Sequence, residues 1–151
     1  RKQGKAVAKI HARIRHRRND FCHQVAKKIV DQYQYICVED LNIQKMVEKS
    51  YFAKSITDAS WNQFRQCLTY KAEEAGRKLG LVNPAYTTQT CYQRKNIEVK
   101  KLSERDHRCS KCGYKATRDF NAAQNILALG LDRLGAIPRS PPLLGEGVVT
   151  N

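Results

Sequence analysis

Cys109-Ser-Lys-Cys112-Gly113 is the stretch of this sequence whose spacing most plainly does chemistry. Two thiols separated by two residues turn toward one ion, and the glycine takes the tight backbone turn behind them, as structural zinc requires. Shortly after stands Asp119, ahead of Ala122, Ala123, Ile126, Leu127 and Leu129, where a helix N-cap belongs. A carboxylate there is held by backbone N–H groups and by the positive end of the helix. That suits a cap or a ligand for a hard cation, and most such aspartates only cap. A third position is Glu39, at the end of the apolar run Tyr35-Ile36-Cys37-Val38. A carboxylate ending a buried strand costs desolvation unless something pairs with it. A metal ion is one answer; an exposed strand end without function is the commoner one.

These groups need elements to hold them. Residues 1 to about 30 predict a long basic helix, with Val7, Ile10, Ile14, Phe21, Val25 and Ile29 at helical spacing and no proline. Lys9, Arg13, Arg15, Arg17 and Arg18 stand on its other face, with Asp20 almost alone in opposing them. Such an imbalance of sign points to phosphate contact, because a merely solvated helix mixes its charges. The run 35–38 reads as a buried strand and 43–59 as a loop. Ser60 or Asp58 is expected to cap a second helix, with Trp61, Phe64, Leu68, Ala72, Ala75 and Leu79 on its core face and Gly80 ending it. Residues 81–86 read as a second strand, Pro84 making it an edge or a bulge. After Gly130 the prolines and glycines predict a disordered tail over 132–151.

Composition narrows the partners. The chain has 28 Lys and Arg against 14 acidic residues, a net charge of +14 and a pI near 9.7. That balance favours a polyanion. Nucleic acid fits better than a membrane, since no long apolar run or signal-peptide pattern is present. The six cysteines do not form a secreted framework; Cys22, Cys37 and Cys67 lie among apolar residues and read as small core side chains. A reduced, intracellular protein is expected. The sequence opens inside the basic helix without a methionine, as a fragment would.

Five motifs occur in one order: Val38-Glu39-Asp40-Leu41-Asn42, Trp61-Asn-Gln-Phe64, Pro84-Ala-Tyr86-Thr-Thr-Gln89-Thr-Cys91, Cys109-Ser-Lys-Cys112-Gly113 and Arg118-Asp119-Phe-Asn121-Ala-Ala-Gln-Asn125-Ile126. Together, from about residue 1 to 131, the chain resembles the C-terminal half of the TnpB/OrfB proteins of bacterial insertion sequences. Those are RNA-guided DNA endonucleases related to the type V CRISPR effectors. The resemblance implies an α/β fold: a partial RNase H-like (RuvC) domain lacking its opening strands, with an inserted zinc ribbon. Its divisions would be 1–85 for the nuclease part, 86–117 for the ribbon, 118–131 for the last nuclease helix and 132–151 for the tail.

The same resemblance implies that Glu39 and Asp119 are two of three catalytic carboxylates binding magnesium. It implies DNA and a guide RNA as partners, and a cytoplasmic, nucleoid-associated place in a bacterium. Two departures stand out. The family's first aspartate, in an Asp-x-Gly strand upstream of the basic helix, has no counterpart here, and Asp31 lies in the helix-to-strand link. In the ribbon, Cys91-Tyr-Gln-Arg94 puts arginine where the family has a second cysteine. Three thiolates remain for zinc, Cys91, Cys109 and Cys112, with His107 or water as the fourth ligand. The chain alone is therefore expected to bind nucleic acid without cutting it, the alternatives being a non-catalytic binding remnant or a decayed transposon relic.

Overall fold

The structure, a computed structural model, describes residues 2–48, 51, 60–101 and 103–136. The proline-free start forms the expected helix, α1 (Lys2–Gln32). Its buried seam is not the expected one. Val7, Ile10, Ile14 and Phe21 are exposed, and the fully buried residues are Cys22, Ala26 and Val30. These three also recur every four residues, so periodicity permits either stripe. The smaller side chains win because they let a second helix come close. Asp31 lies inside the last turn of α1, not in a link, and pairs with Lys27 at 2.9 Å.

After β1 (Tyr35–Glu39) comes a short helix, α2 (Ile43–Glu48), where a loop is expected. The side-chain oxygen of Asn42 accepts from the Lys45 N–H at 2.9 Å and so starts it. The rest of that predicted loop, with Asp58, falls outside the described residues apart from Tyr51. Helix α3 (Trp61–Glu74) starts with Ser60 at φ 55°, but the Ser60 side chain does not accept the capping hydrogen bond. Trp61 is 43% exposed, not core. The helix stops at Gly76, not Gly80. Gly76 takes φ 64°, its N–H donates to the Glu73 carbonyl, and the Arg77 N–H closes on the Ala72 carbonyl at 2.7 Å.

Leu79 and Gly80 thus belong to β2 (Lys78–Val82), which starts earlier than expected. It stops before Pro84, which stands in a turn where Asn83 accepts from the Ala85 N–H at 2.9 Å. β1 and β2 pair in parallel, Cys37 facing Gly80 and Glu39 facing Val82. Parallel neighbours need a crossover, which α2 and α3 lie within. One face of this pair packs Ile36, Val38 and Leu79 against Cys22, Ala26 and Val30 of α1 and Cys67, Leu68 and Ala72 of α3. Tyr70 and His23 join the two helices by a 2.7 Å hydrogen bond.

The other face receives α4 (Arg118–Arg133). Gly130 is the reason it fits. A Cβ there would lie 2.6 Å from the Cys37 Cβ, so only glycine allows this approach. Arg133 donates to the Leu81 carbonyl at 2.7 Å. The helix continues past the predicted start of the tail. Gly135, at φ 65°, ends it, and the Ala136 N–H reaches the Leu131 carbonyl at 2.8 Å. Residues 137–151 of the predicted tail lie outside the described set. Between β2 and α4 a small lobe holds the antiparallel hairpin β3 (Asp106–Arg108) and β4 (Lys115–Thr117).

Candidate metal centre and carboxylate site

Alternation along β1 decides where Glu39 points. Ile36 and Val38 face α1 and α3, so Cys37 and Glu39 face α4. Glu39 is half-buried, and one of its oxygens accepts from the Thr87 hydroxyl at 2.7 Å. Thr87 is itself buried and gives the carboxylate a fixed direction. Asp40 turns the other way, to Arg65 at 2.7 Å.

Glu39 lines a cavity of about 310 Å³ at the carboxyl end of β1, with Cys37, Leu41, Phe64, Ala123 and Ile126 among its walls. Asp119 stands four residues before Ala123 and seven before Ile126, on the same face of α4 one turn nearer its start. It is not the cap. Thr117 holds that position and its hydroxyl accepts from the Phe120 N–H at 3.3 Å, leaving the Asp119 side chain 86% exposed in the first turn. Crevices beyond the carboxyl ends of parallel strands are where α/β folds place ligands.

The second cluster is made of sulfur. Cys91, Cys109 and Cys112 hold their Sγ atoms within 4.8 Å of one another, and Cys91 and Cys112 are 3.9 Å apart. Among the described residues this is the one group of three or more potential metal-ligating side chains. Three soft thiols at this spacing fit zinc. Burial alone would raise the Cys109 thiol. The backbone N–H groups of Cys112 and Lys111 and the neighbouring thiols outweigh it and bring Cys109 down to about 7. Cys112 moves up instead: the Tyr114 N–H lowers it, but burial and the adjacent sulfurs prevail. His107 is not part of the group. Its ring is fully buried in β3, beside Tyr114, and its nitrogens have no hydrogen-bond partner among the described residues.

Two asparagines tie the lobe to α4, and neither stands out in the sequence as more than part of a motif. Asn121 accepts from the Tyr92 N–H at 3.0 Å and donates to the Thr90 carbonyl at 2.8 Å. Asn125 donates to the Thr87 and Thr90 carbonyls at 3.0 and 2.6 Å. Both are buried. Polar residues four apart on an otherwise apolar helix face are their only signal, since such groups are buried only with partners.

Lys9, Arg13, Arg15 and Arg17 are exposed along the projecting half of α1, and Arg18 is half-buried at its foot. Beside Arg17 and Arg18 a groove of about 580 Å³ runs between α1 and α3, lined by Phe21, Trp61 and Phe64. Among the described residues no helix is long and apolar enough to cross a membrane.

Comparison with known proteins accounts for most of the chain. Residues 1–50 match a family model described as "Probable transposase" (OrfB_IS605), and residues 61–126 match "Cas12f1-like, TNB domain". A "Putative RNA-guided DNA endonuclease" of Streptomyces pristinaespiralis is 35% identical over 133 residues, 87% of this chain and 33% of that protein. The "Putative RNA-guided DNA endonuclease InsQ" of Escherichia coli K12 is 33% identical over 85% of this chain and 36% of its own length. The "CRISPR-associated endodeoxyribonuclease Cas12f1" of Sulfoacidibacillus thermotolerans is 32% identical over 88% and 32%. Among solved structures, a cryo-EM structure of a Cas12f1–sgRNA–target DNA complex matches with a TM-score of 0.63 at 23% identity. It covers 81% of this chain and 36% of that one, a likeness of fold. The chain spans about a third of the length of these curated relatives. With two models matched in order and relatives at this identity along most of its length, the chain belongs to the TnpB/OrfB family.

Proposed function

We propose that this chain supplies part of an RNA-guided DNA endonuclease: a partial RuvC-like nuclease core with a zinc ribbon inserted before its last helix. The observation that carries this reading is the cavity at the end of β1. Glu39 enters it from the strand, and Asp119 stands on the α4 face that forms its wall. In this reading Glu39 and Asp119 hold magnesium, which when bound acts as a Lewis acid on the attacking water and the leaving oxygen of a phosphodiester. Thr87 keeps one Glu39 oxygen occupied and leaves the other available to a cation. Cys91, Cys109 and Cys112 bind zinc and shape the lobe that α4 emerges from. Lys9, Arg13, Arg15, Arg17 and Arg18 contact the phosphates of DNA or guide RNA.

Two carboxylates are too few for the full reaction. Paired divalent ions repel one another, and several anionic oxygens are needed to hold both. The 151 residues alone are therefore expected to bind manganese weakly and leave single-stranded DNA intact at millimolar magnesium or manganese. Titration of manganese by its electron-spin signal tests the shared site. Glu39→Ala and Asp119→Ala should each abolish binding, and a variant that binds as well as the parent removes its residue from the site. Cutting by the parent that is lost in both variants would mean that a third carboxylate lies within this chain.

A further inference from the structure

Two turns meet at the sulfur cluster, and their backbones repeat one another. At Cys109, the Gly113 N–H donates to the Cys109 carbonyl at 3.0 Å, and the Cys109 N–H donates to the Tyr114 carbonyl at 2.9 Å. At Cys91, the Lys95 N–H donates to the Cys91 carbonyl at 2.8 Å, and the Cys91 N–H to the Asn96 carbonyl at 2.8 Å. Gly113 has φ 72° and Lys95 φ 59°, so a lysine adopts the left-handed conformation that glycine adopts in the other turn. The repeat matches Cys91 to Cys109, Arg94 to Cys112, Lys95 to Gly113 and Asn96 to Tyr114. The ligand-presenting turn is thus kept where its second sulfur is replaced by a guanidinium, which has no lone pair to offer.

Another atom must take the fourth corner. His107 lies outside the cluster, and two amide oxygens lie against it. The Asn96 oxygen is 3.2 Å from the Cys109 sulfur, and the Gln93 oxygen is 3.7 Å from that of Cys112. They differ in what holds them. Gln93 is exposed. Asn96 is half-buried, and its amide nitrogen donates to Glu98 Oε1 at 2.8 Å. The same oxygen also accepts from the backbone N–H and hydroxyl of Ser110, at 2.9 and 2.6 Å. A carboxylate can only accept, so the nitrogen end of Asn96 must face Glu98 and its oxygen must face the sulfur.

While Cys109 is a thiol, its S–H fills that gap by donating. Once it is a thiolate, two sets of lone pairs oppose each other unless a cation lies between them. Tetrahedral zinc at its usual bond lengths separates a sulfur and an oxygen ligand by about 3.6 Å, within a few tenths of the distance found.

We propose that the metal centre of this chain has three sulfurs and one oxygen, with Asn96 as the fourth ligand and Glu98 as the residue that orients it. The assignment rests on the zinc reading above, and cobalt(II) loaded into the full 151-residue chain separates the two. Thiolate-to-cobalt absorption grows with the number of sulfurs, and the d–d bands report coordination number. The parent should show a tetrahedral three-sulfur spectrum, and Arg94→Cys should raise the charge-transfer intensity in the ratio of four sulfurs to three. Asn96→Ala should release cobalt to a chelator at least about tenfold faster, while Asn96→Asp retains it. Adding Arg94→Cys to Asn96→Ala should restore retention, a rescue that a purely structural role for Asn96 would not show.

Release from Asn96→Ala at the parent rate overturns the assignment. It would then pass to Gln93 if Gln93→Ala speeds release, and to solvent if it does not. A parent and an Arg94→Cys variant that both fail to take up cobalt overturn the zinc reading itself.

Discussion

Thr87 shows how much of a site is carried by residues with no chemistry of their own. Its one hydroxyl proton goes to Glu39 at 2.7 Å, and the same hydroxyl oxygen lies 3.1 Å from the Pro84 carbonyl, so the carboxylate is held beside the turn after β2. Thr87→Val keeps the shape and removes the donor. Manganese affinity should fall about tenfold or more without vanishing, as expected when a group that orients a ligand is lost. Manganese titration beside Glu39→Ala separates weakening from loss. The grouping of Cys91, Cys109 and Cys112 was legible because cysteines at that spacing have few other reasons to recur. Glu39 and Asp119 stand out only through the family resemblance, each by itself reading as a strand end or a cap. Thr87, Asn96, Asn121 and Asn125 were not legible in these roles. Each acts on an atom thirteen or more residues away, and nothing local marks a polar side chain for a partner that only the fold supplies.

At the scale of elements, the existence of the longer ones was readable, the short helix α2 and the hairpin strands were not, and neither were the seams. α1, β1, α3 and α4 stand where hydrophobic periodicity puts them, but α1 carries two stripes of similar spacing and packing chose Cys22, Ala26 and Val30. Likewise the sequence points to Gly80 as the end of α3, but the left-handed turn falls on Gly76. Gly80 instead admits α4, with Leu134 close above it. The contact of Gly130 with Cys37 makes a sharper claim. Gly130→Ala raises helix propensity yet drives a methyl into β1, so it should destabilise by about 1–3 kcal/mol, the cost of overpacking a core, in urea unfolding. A neutral or stabilised variant would mean that α4 can ride further from the sheet. The projecting half of α1 yields an electrostatic expectation. With about six phosphate contacts, nucleic-acid affinity should drop roughly a thousandfold between 50 and 200 mM salt. Arg13→Gln with Arg17→Gln should flatten the salt slope by about two on duplex DNA, and an unchanged slope would place the contacts elsewhere.

The whole molecule is two bodies of different construction, a layered α/β core held by apolar packing and a small lobe organised by thiols. The clasp between them is polar, made by Asn121 and Asn125 of α4 on the turn that bears Cys91. Breaking it should matter more to their union than to either part. Asn125→Ala leaves the Thr87 carbonyl without its side-chain donor and the Thr90 carbonyl with Asn121 alone, and a loss of about 1–3 kcal/mol is expected. Trp61 makes that division visible. It is the only tryptophan in the sequence and stands half-open at the junction of α1 and α3, on the surface of the α/β body. Its emission therefore reports the core alone, while the absorption of cobalt reports the lobe alone. The protein carries two colours with separate addresses. On heating, the two signals should fade together in the parent, because the clasp makes one cooperative unit of both bodies. In the paired variant Asn121→Ala with Asn125→Ala they should part, the cobalt colour going first and the tryptophan later.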